Sequence, residues 1–136
     1  MNFLVIEDEM TALIKMKAML SAYGEGTGVT NGYQALEQCA AAIKNGTPFD
    51  LITIDIGLPK VSGLKVLQAI NKLEDDHDVP ASKKIMVTAS GTKDNLVKAA
   101  ASGCNGFLVK PVRKDTLDEK MTALRFAKKS EKSEAE

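Results

Sequence analysis

Apolar positions along the chain alternate between short strand-like runs and stretches with helical spacing. The strand-like runs are four or five residues long and lie at 3–6, 27–30, 50–54, 84–88 and 106–109. Between and after them, apolar residues recur every three or four positions, which predicts five helices. Five strands alternating with five helices predict an α/β fold, an open and doubly wound parallel sheet with helices on both faces.

Polar caps and glycines predict several helix boundaries. Asn31, with Gln34 three residues later, resembles a capping box at the start of the second helix. Ser62 can cap the third helix, and Gly103 closes a fourth helix that runs from about Asp94 to Ser102. These boundary signals support the predicted alternation of strands and helices.

Three further segments are interpreted as ordinary structure. The glycines at 24, 26 and 28 are predicted to end the first helix; they are not a dinucleotide fingerprint, because they do not join the first strand to a helix. The acidic run Glu74–Asp78 is predicted to be a solvated surface loop rather than a metal site. Ala99–Ala101 is predicted to pack closely on the sheet.

Length, composition and charge narrow the class of protein. The 136 residues favour one domain, with 44% hydrophobic and 26% charged residues. Eighteen basic and eighteen acidic side chains balance, which argues against a nucleic-acid binder held by phosphate neutralisation. No uninterrupted apolar run is long enough to cross a membrane, and two cysteines are too few for a disulfide framework. We expect a cytoplasmic domain over residues 1–127 and a charged tail, frayed or disordered, over 128–136.

Polar residues follow four of the predicted strands. Glu7 and Asp8 come after the first strand, and Asp55 follows the third. Thr88 ends the fourth strand and Lys110 follows the fifth. The carboxyl ends of parallel strands form the ligand-binding edge of such a sheet, and clustered carboxylates suit Mg²⁺. Asp55 then fits a carboxylate nucleophile that attacks phosphorus, with Lys110 offsetting negative charge and Thr88 donating to a phosphoryl oxygen.

At these residues the sequence resembles the response regulator receiver domain, the CheY-like family, over about residues 2–127. Glu7-Asp8 matches the family's acidic pair, Asp55 its phosphorylated aspartate, Thr88 its hydroxyl position and Lys110-Pro111 its lysine-proline pair. The nine residues from Asp55 look like the family's loop after the acceptor. The resemblance implies a flavodoxin-like (βα)5 fold with strand order 2-1-3-4-5.

The resemblance also implies a metal site and a switch. Asp8 and Asp55 would coordinate Mg²⁺ with the backbone carbonyl of Gly57, and Glu7 would act through water. A histidine kinase or a histidine phosphotransfer protein would donate the phosphoryl group. Thr88 would then turn toward the phosphate, and Phe107 would rotate inward behind it; these two side chains form the switch. The Lys110-Pro111 peptide bond would be cis.

The sequence departs from the common family pattern at several positions. The acidic pair is Glu-Asp rather than Asp-Asp, Ser62 stands where many members have Asp, and Phe107 lacks the hydroxyl of a tyrosine switch. Gly57 and Ser90 occupy the positions that modulate dephosphorylation in the family, and neither is a strong base. We therefore expect slow loss of the phosphoryl group.

The main hypothesis is a phosphoacceptor switch of a two-component phosphorelay that is not an enzyme beyond self-phosphorylation and slow self-dephosphorylation. Its output would be a change in the surface formed by the fourth helix, fifth strand and fifth helix, read by an unknown protein target. It would act as a monomer or a phosphorylation-dependent dimer, without direct nucleic-acid or membrane binding.

The alternative is a Mg²⁺-dependent phosphohydrolase, which would need a carboxylate at the position of Gly57. A flavin-binding domain is disfavoured because the loop after the first strand is acidic.

Overall fold

Five strands and five helices alternate in a computed structural model that describes residues 1–89 and 93–130. The strands are β1 (Asn2–Ile6), β2 (Glu25–Val29), β3 (Leu51–Asp55), β4 (Lys83–Thr88) and β5 (Gly106–Val109). The helices are α1 (Met10–Leu20), α2 (Gly32–Lys44), α3 (Gly63–Asp76), α4 (Lys93–Ala101) and α5 (Lys114–Ala123). None of the described helices has the length and apolar character that a membrane span requires.

The strands form one parallel sheet in the order β2-β1-β3-β4-β5, which confirms the predicted fold class and strand order. The chain moves outward from β1 to β2 and then crosses to β3 on the other side of β1. This reversal opens a crevice beyond the carboxyl ends of β1 and β3, where ligands bind in doubly wound sheets. The acidic residues that follow these two strands therefore meet in the crevice.

Two apolar clusters cover the two faces of the sheet, because successive side chains of a strand point to opposite faces. On β1, Phe3 and Val5 pack in the cluster that contains α1 and α5 residues. Leu4 and Ile6 pack in the other cluster, with residues of α2, α3 and α4. The continuous apolar runs of the sequence thus reflect strands that are buried on both sides.

Gly26 and Gly28 lie inside β2 and do not end α1, so the prediction that they end the helix was wrong. The strand predicted at 27–30 did include Gly28, but β2 begins two residues earlier, at Glu25. A Cβ atom on Gly26 would lie 2.2 Å from the Phe3 ring, and one on Gly28 would lie 2.6 Å from a methyl group of Leu13. The missing side chains make room for these two core residues. Gly24, in the turn after α1, is tight as well, because a Cβ there would lie 2.0 Å from the Met1 carbonyl oxygen.

The acidic run at 74–78 was predicted to be a loop, but α3 continues through Asp76 and Glu74 points into the protein. The Lys84 ammonium group lies 2.6 Å from Glu74 Oε1 and 3.0 Å from the Ser82 carbonyl oxygen. Ser82 donates from its amide and its hydroxyl to Glu74 Oε2, at 2.9 and 2.6 Å. These donors satisfy the carboxylate, so Glu74 can be buried within α3, whereas Asp75 to Asp78 are exposed as predicted. The lysine that makes this possible is ten residues away, on a strand.

The predicted helix caps are present, with one difference in detail. The Asn31 side chain accepts from the Gln34 amide at 2.9 Å, but the Gln34 side chain accepts from Thr30 rather than from Asn31. Ser62 accepts from the Lys65 amide at 3.4 Å, and Gly103 after α4 has a φ of +89°. Local sequence signals therefore predicted where these helices begin and end.

The three alanines of α4 agree only in part with the prediction that they pack on the sheet. Of the three alanines at 99–101, only Ala99 is buried, because the others face away from the sheet. The chain after α5 is held by an ion pair between Lys128 and Asp118 at 3.4 Å, and by a hydrogen bond from the Lys129 amide to the Ala22 carbonyl at 2.8 Å. Residues 131–136 of the predicted tail lie outside the described residues.

The two cysteines differ in burial, which predicts different reactivity. Cys39 is buried in α2, and burial raises the pKa of its thiol to about 12. Cys104 is only partly buried, and burial raises the pKa of its thiol as well. Since the thiolate is the reactive form, we expect iodoacetamide to alkylate Cys104 first in the folded protein and Cys39 only after unfolding. Peptide mass mapping over time checks this, and equal rates at the two residues would contradict it.

Candidate functional site

The carboxyl edge of the sheet brings together the side chains predicted to form a site. Glu7 directly follows β1, Asp55 is the last residue of β3, Thr88 ends β4 and Lys110 follows β5. Glu7, Asp55 and Thr88 are buried, whereas Asp8 is exposed. Of the three carboxyl groups predicted to form the site, two are buried and one is exposed.

A lysine joins the two buried carboxyl groups. Lys110 Nζ donates to Glu7 Oε1 and lies 3.2 Å from Asp55 Oδ2. The other Asp55 oxygen, Oδ1, accepts from the Gly57 amide at 2.9 Å. Glu7 Oε2 is buried and has no hydrogen-bond partner among the described residues. The hydrogen-bond donors around Glu7 and Asp55 therefore satisfy these two carboxyl groups only in part.

Burial and mutual contact move the pKa values of the two carboxyl groups in opposite directions. Burial, followed by contact with the Asp55 carboxyl group, raises the pKa of Glu7 to about 7 against the opposing effect of Lys110. Burial also acts to raise the pKa of Asp55, but Glu7, the Gly57 amide and Lys110 together hold it below its usual value. These opposite directions favour an ionised Asp55 beside Glu7 near neutral pH. Burial acts to lower the pKa of Lys110, but contacts with Glu7 and Asp55 outweigh it and raise that pKa.

The three carboxyl groups are placed so that they could hold a metal ion. One oxygen from each of Glu7, Asp8 and Asp55 lies within 4.8 Å of the others. Hard divalent cations prefer such oxygen ligands, and Mg²⁺ usually keeps several waters beside one or two carboxylates. The buried, unpartnered Glu7 Oε2 is an acceptor that a metal-bound water can satisfy. The residues present therefore fit Mg²⁺.

The third acid of the run, Glu9, has a different task. Its carboxylate accepts from the amides of Thr11 and Ala12 at 3.0 and 2.7 Å and so caps α1. These two hydrogen bonds lower the pKa of Glu9. An acidic side chain is favourable at a helix N-terminus, so the position of Glu9 directly before the helical stretch is a local signal for this cap.

The loop after Asp55 is packed tightly against the acceptor strand. The Ile56 amide donates to the Val87 carbonyl at 2.9 Å, and the Gly63 amide donates to the Ile56 carbonyl at 3.1 Å. A Cβ atom on Gly63 would lie 2.2 Å from the Asp55 carbonyl oxygen. Only glycine lets α3 begin this close to the end of β3, and this contact fixes the backbone around Asp55.

The remaining predicted residues lie on β4, on β5 and just beyond them. Thr88 pairs with Val109 and Met86 pairs with Phe107, so Thr88 and Phe107 face the same side of the sheet. Phe107 is partly buried against the cluster that covers that side. The Lys110-Pro111 peptide bond is cis. Ser90, one of the two positions connected with dephosphorylation, lies outside the described residues.

Comparisons with known proteins match nearly the whole chain. The family model described as response regulator receiver domain matches residues 3–122. The chemotaxis protein CheY of Pseudomonas aeruginosa is 29% identical over 122 residues, which are 89% of this chain and 93% of that protein. A CheY-like receiver domain protein from Methanospirillum hungatei superposes with a TM-score of 0.75 at 28% identity, over 90% of this chain and 91% of that one. The CheX-CheY-BeF3-Mg²⁺ complex from Borrelia burgdorferi shares the fold, with a TM-score of 0.77 at 20% identity over 93% and 90% of the two chains.

Proposed function

The chain belongs to the response regulator receiver domain family, and from this premise we propose that it accepts a phosphoryl group on Asp55 from a partner phosphohistidine. The observation that carries the proposal is the contact of Lys110 with both Glu7 and Asp55 in the crevice at the carboxyl edge of the sheet. A buried carboxylate that stays ionised beside an ammonium group can attack phosphorus.

In the proposed step, an Asp55 carboxylate oxygen forms a bond to phosphorus while the bond between phosphorus and the donor imidazole nitrogen breaks. The imidazole leaves with the electron pair of that bond and takes up a proton. Gly57 holds Oδ1 of Asp55 through its amide, and this leaves Oδ2, on the side of Lys110, as the attacking oxygen. Lys110 and the Thr88 hydroxyl would then stabilise negative charge on the transferred group.

We propose that Glu7, Asp8 and Asp55, with the Gly57 carbonyl, hold Mg²⁺, and that Glu7 acts through a bound water. When bound, the ion offsets the repulsion between the Asp55 carboxylate and an anionic phosphoryl group. The buried Glu7 Oε2 and the clustering of the three carboxyl groups support this assignment.

The donor must approach the crevice, and α1 offers an apolar surface beside it. Met10 and Ile14 are 55% and 59% exposed, and their spacing of four residues puts them on one face of α1. α1 begins three residues after Glu7. We propose that a histidine kinase or a histidine phosphotransfer protein docks against this face.

The output surface is proposed on the other side of the site. Val109 on β5 and Val97 on α4 are 54% and 57% exposed. Val109 directly precedes Lys110 and pairs with Thr88, so it is next to two groups that would contact the phosphoryl oxygens. Movement of Thr88 and Phe107 on phosphorylation would shift the balance between two arrangements of α4, β5 and α5 and so change what this surface binds.

Receiver domains of this family are signalling modules rather than conventional enzymes. The alternative, a phosphohydrolase, needs an acid or base near the acyl phosphate. Gly57, two residues after Asp55, offers no side chain for this task. We therefore propose that the phosphoryl group is lost slowly and that the protein acts through its binding surface.

Incubation with acetyl phosphate and Mg²⁺ is expected to add one phosphoryl group to the wild-type protein, read by intact mass. Asp55→Asn removes the nucleophile and is expected to abolish the adduct. Omission of Mg²⁺ should reduce the yield strongly, because the ion offsets charge repulsion at the acceptor.

The matched control is Asp78→Asn, the same change at an exposed residue after α3. Asp78 has a φ of 54°, a conformation that asparagine also tolerates. This variant should be phosphorylated like the wild type. An adduct that persists in Asp55→Asn would contradict the assignment of the acceptor, and steady release of phosphate from small phosphomonoesters would favour the hydrolase.

A further inference from the structure

Three polar side chains of α3 take no part in the proposed phosphoryl transfer. They are Gln68, Asn71 and Glu74, and their spacing of three residues puts each next to the following one on the helix surface. Glu74 is buried and pairs with Lys84 near the start of β4. The other two side chains reach instead to Ser102, the first residue after α4. This polar stripe therefore joins α3 both to β4 and to the end of α4.

The contact of Asn71 with Ser102 fixes the main chain where α4 ends. Asn71 Nδ2 donates to the Ser102 carbonyl oxygen at 2.7 Å, in a partly buried hydrogen bond. The last carbonyl groups of a helix have no partner within the helix, so a side-chain donor here satisfies a group that otherwise depends on water. Gln68 Nε2 adds a longer, exposed hydrogen bond to the Ser102 hydroxyl, at 3.2 Å. Asn71 is thus the stronger of the two anchors, because its hydrogen bond is shorter and less solvated.

The connection between α4 and β5 is held a second time, at Asn105. Its amide donates to the Lys84 carbonyl oxygen at 2.7 Å, and its side-chain oxygen accepts from the Lys84 amide at 2.8 Å. Lys84 is itself fixed by its buried ion pair with Glu74. Both attachments of this connection therefore lead back to the polar stripe of α3.

The described side chains of α4 are buried only near the end of the helix. Ala99 is buried and packs in the cluster that covers this side of the sheet. Asp94, Val97 and Lys98 are exposed. Burial and the hydrogen bonds to α3 thus lie at the same end of α4. A helix attached at one end can change direction while that end stays in place, as in a hinge motion.

We infer that Asn71 is a positioning residue that holds the C-terminal end of α4, so that α4 rotates about Ser102 when Asp55 is phosphorylated. The anchor belongs to the unphosphorylated protein, whereas the rotation rests on the proposed function. The inference adds a fixed point to the proposed switch. The surface around Val97 moves, and the connection from Ser102 to Asn105 stays in place.

Amide hydrogen exchange in the unphosphorylated protein, followed by NMR, tests the anchor. Asn71→Leu keeps a similar volume but removes the donor to the Ser102 carbonyl. We expect exchange at the amides of residues 102–104 to accelerate roughly 2- to 12-fold, which corresponds to the net contribution of one hydrogen bond. Gln68→Leu should have a smaller effect in the same direction. Gln38→Leu, the matched control, removes a side-chain amide from an exposed position of α2 and should leave these rates unchanged.

Phosphorylation tests the rotation. NMR spectra and intact mass are recorded with and without acetyl phosphate, in the presence of Mg²⁺. In the wild type we expect the amide signals of residues 94–97 to shift, while the side-chain amide signal of Asn71 and the amide signals of 102–104 keep their positions. In Asn71→Leu the shifts should extend to residues 102–104. Each comparison is between two states of one variant, so a general loss of stability does not produce this pattern.

Three results would overturn the inference. Exchange at residues 102–104 that is as slow in Asn71→Leu as in the wild type, or as fast in Gln38→Leu as in Asn71→Leu, would rule out the anchor. In the phosphorylated wild type, shifts at 102–104 as large as those at 94–97 would rule out the rotation, and this result does not depend on whether a variant folds. If intact mass shows no added phosphoryl group, the proposed function fails and the rotation with it, whereas hydrogen exchange still decides the anchor.

Discussion

Lys84→Met is expected to lower the free energy of unfolding by about 3–5 kcal/mol, the cost of leaving one partner of a buried ion pair uncompensated. Lys84 is 1% exposed and its ammonium group lies 2.6 Å from Glu74 Oε1. The variant keeps the apolar stem but leaves the Glu74 carboxylate buried with only the two donors of Ser82. Domains of this size are stable by about 5–15 kcal/mol, so the loss is a large share of the total. Urea unfolding near neutral pH measures it.

The control for this prediction is an exposed ion pair on α3, the helix that carries Glu74. Lys72 and Asp76 form an ion pair at 3.0 Å, but their side chains are 76% and 57% exposed. Exposed pairs of this kind contribute about 0.3–0.5 kcal/mol, so Lys72→Met should change the free energy of unfolding only slightly. The double variant Lys84→Met with Glu74→Leu should recover much of the lost stability, because no charge is left buried. Equal losses for Lys84→Met and Lys72→Met would refute the structural role of the buried pair.

Gly63→Ala is expected to destabilise the protein by about 3 kcal/mol, at the upper end of the cost of overpacking. The new methyl group would lie 2.2 Å from the Asp55 carbonyl oxygen and 2.7 Å from the Cα atom of Ile56. Both are backbone atoms at the end of the acceptor strand, so they cannot turn away as a flexible side chain can. The start of α3 must then move away from β3. We expect a lower thermal midpoint and a lower yield of phosphorylated Asp55 with acetyl phosphate.

Gly57→Ala is the matched control, because it adds the same methyl group six residues earlier, in the turn after β3. A Cβ atom on Gly57 would meet only Asp55 Oδ1, at 3.5 Å, which is an ordinary contact. The alanine keeps the amide that donates to Asp55. Its effect on the thermal midpoint should be small, and an effect as large as that of Gly63→Ala would contradict the explanation by close backbone contact.

Much of the fold could be predicted because its signals are local. Apolar runs, helical spacing and capping residues such as Asn31 and Ser62 act within a few positions of the chain, and these two residues cap helices as predicted. The prediction that Gly26 and Gly28 end α1 was wrong because the reason for glycine at these positions is not local. Their lack of side chains is explained by Phe3 and Leu13, which approach from other elements. Glycine near the end of a helical stretch has the same local pattern whether it ends the helix or makes room for a distant side chain.

The acidic run after position 73 shows the same limit with charges. Charged residues in a row are usually solvated, and the sequence around Glu74 contains no sign of an exception. Lys84 likewise directly precedes the apolar residues 85–87 of β4, without an obvious partner nearby in the sequence. Only the packing of α3 against the start of β4 brings the two together. A buried glutamate and a buried lysine are each unusual alone, and the ion pair between them explains why both can be buried.

The sequence by itself determined the order of strands and helices and the residues that stand at the strand ends. That was enough to bring Glu7, Asp55, Thr88 and Lys110 to one edge, because parallel strands end on the same side of their sheet. Only the tertiary structure decided which of these groups touch. It joined Lys110 to both buried carboxyl groups and put the carboxyl groups of Glu7 and Asp55 in contact. Such contacts depend on how residues far apart in the chain pack in three dimensions, and periodicity along the chain carries no information about those partners.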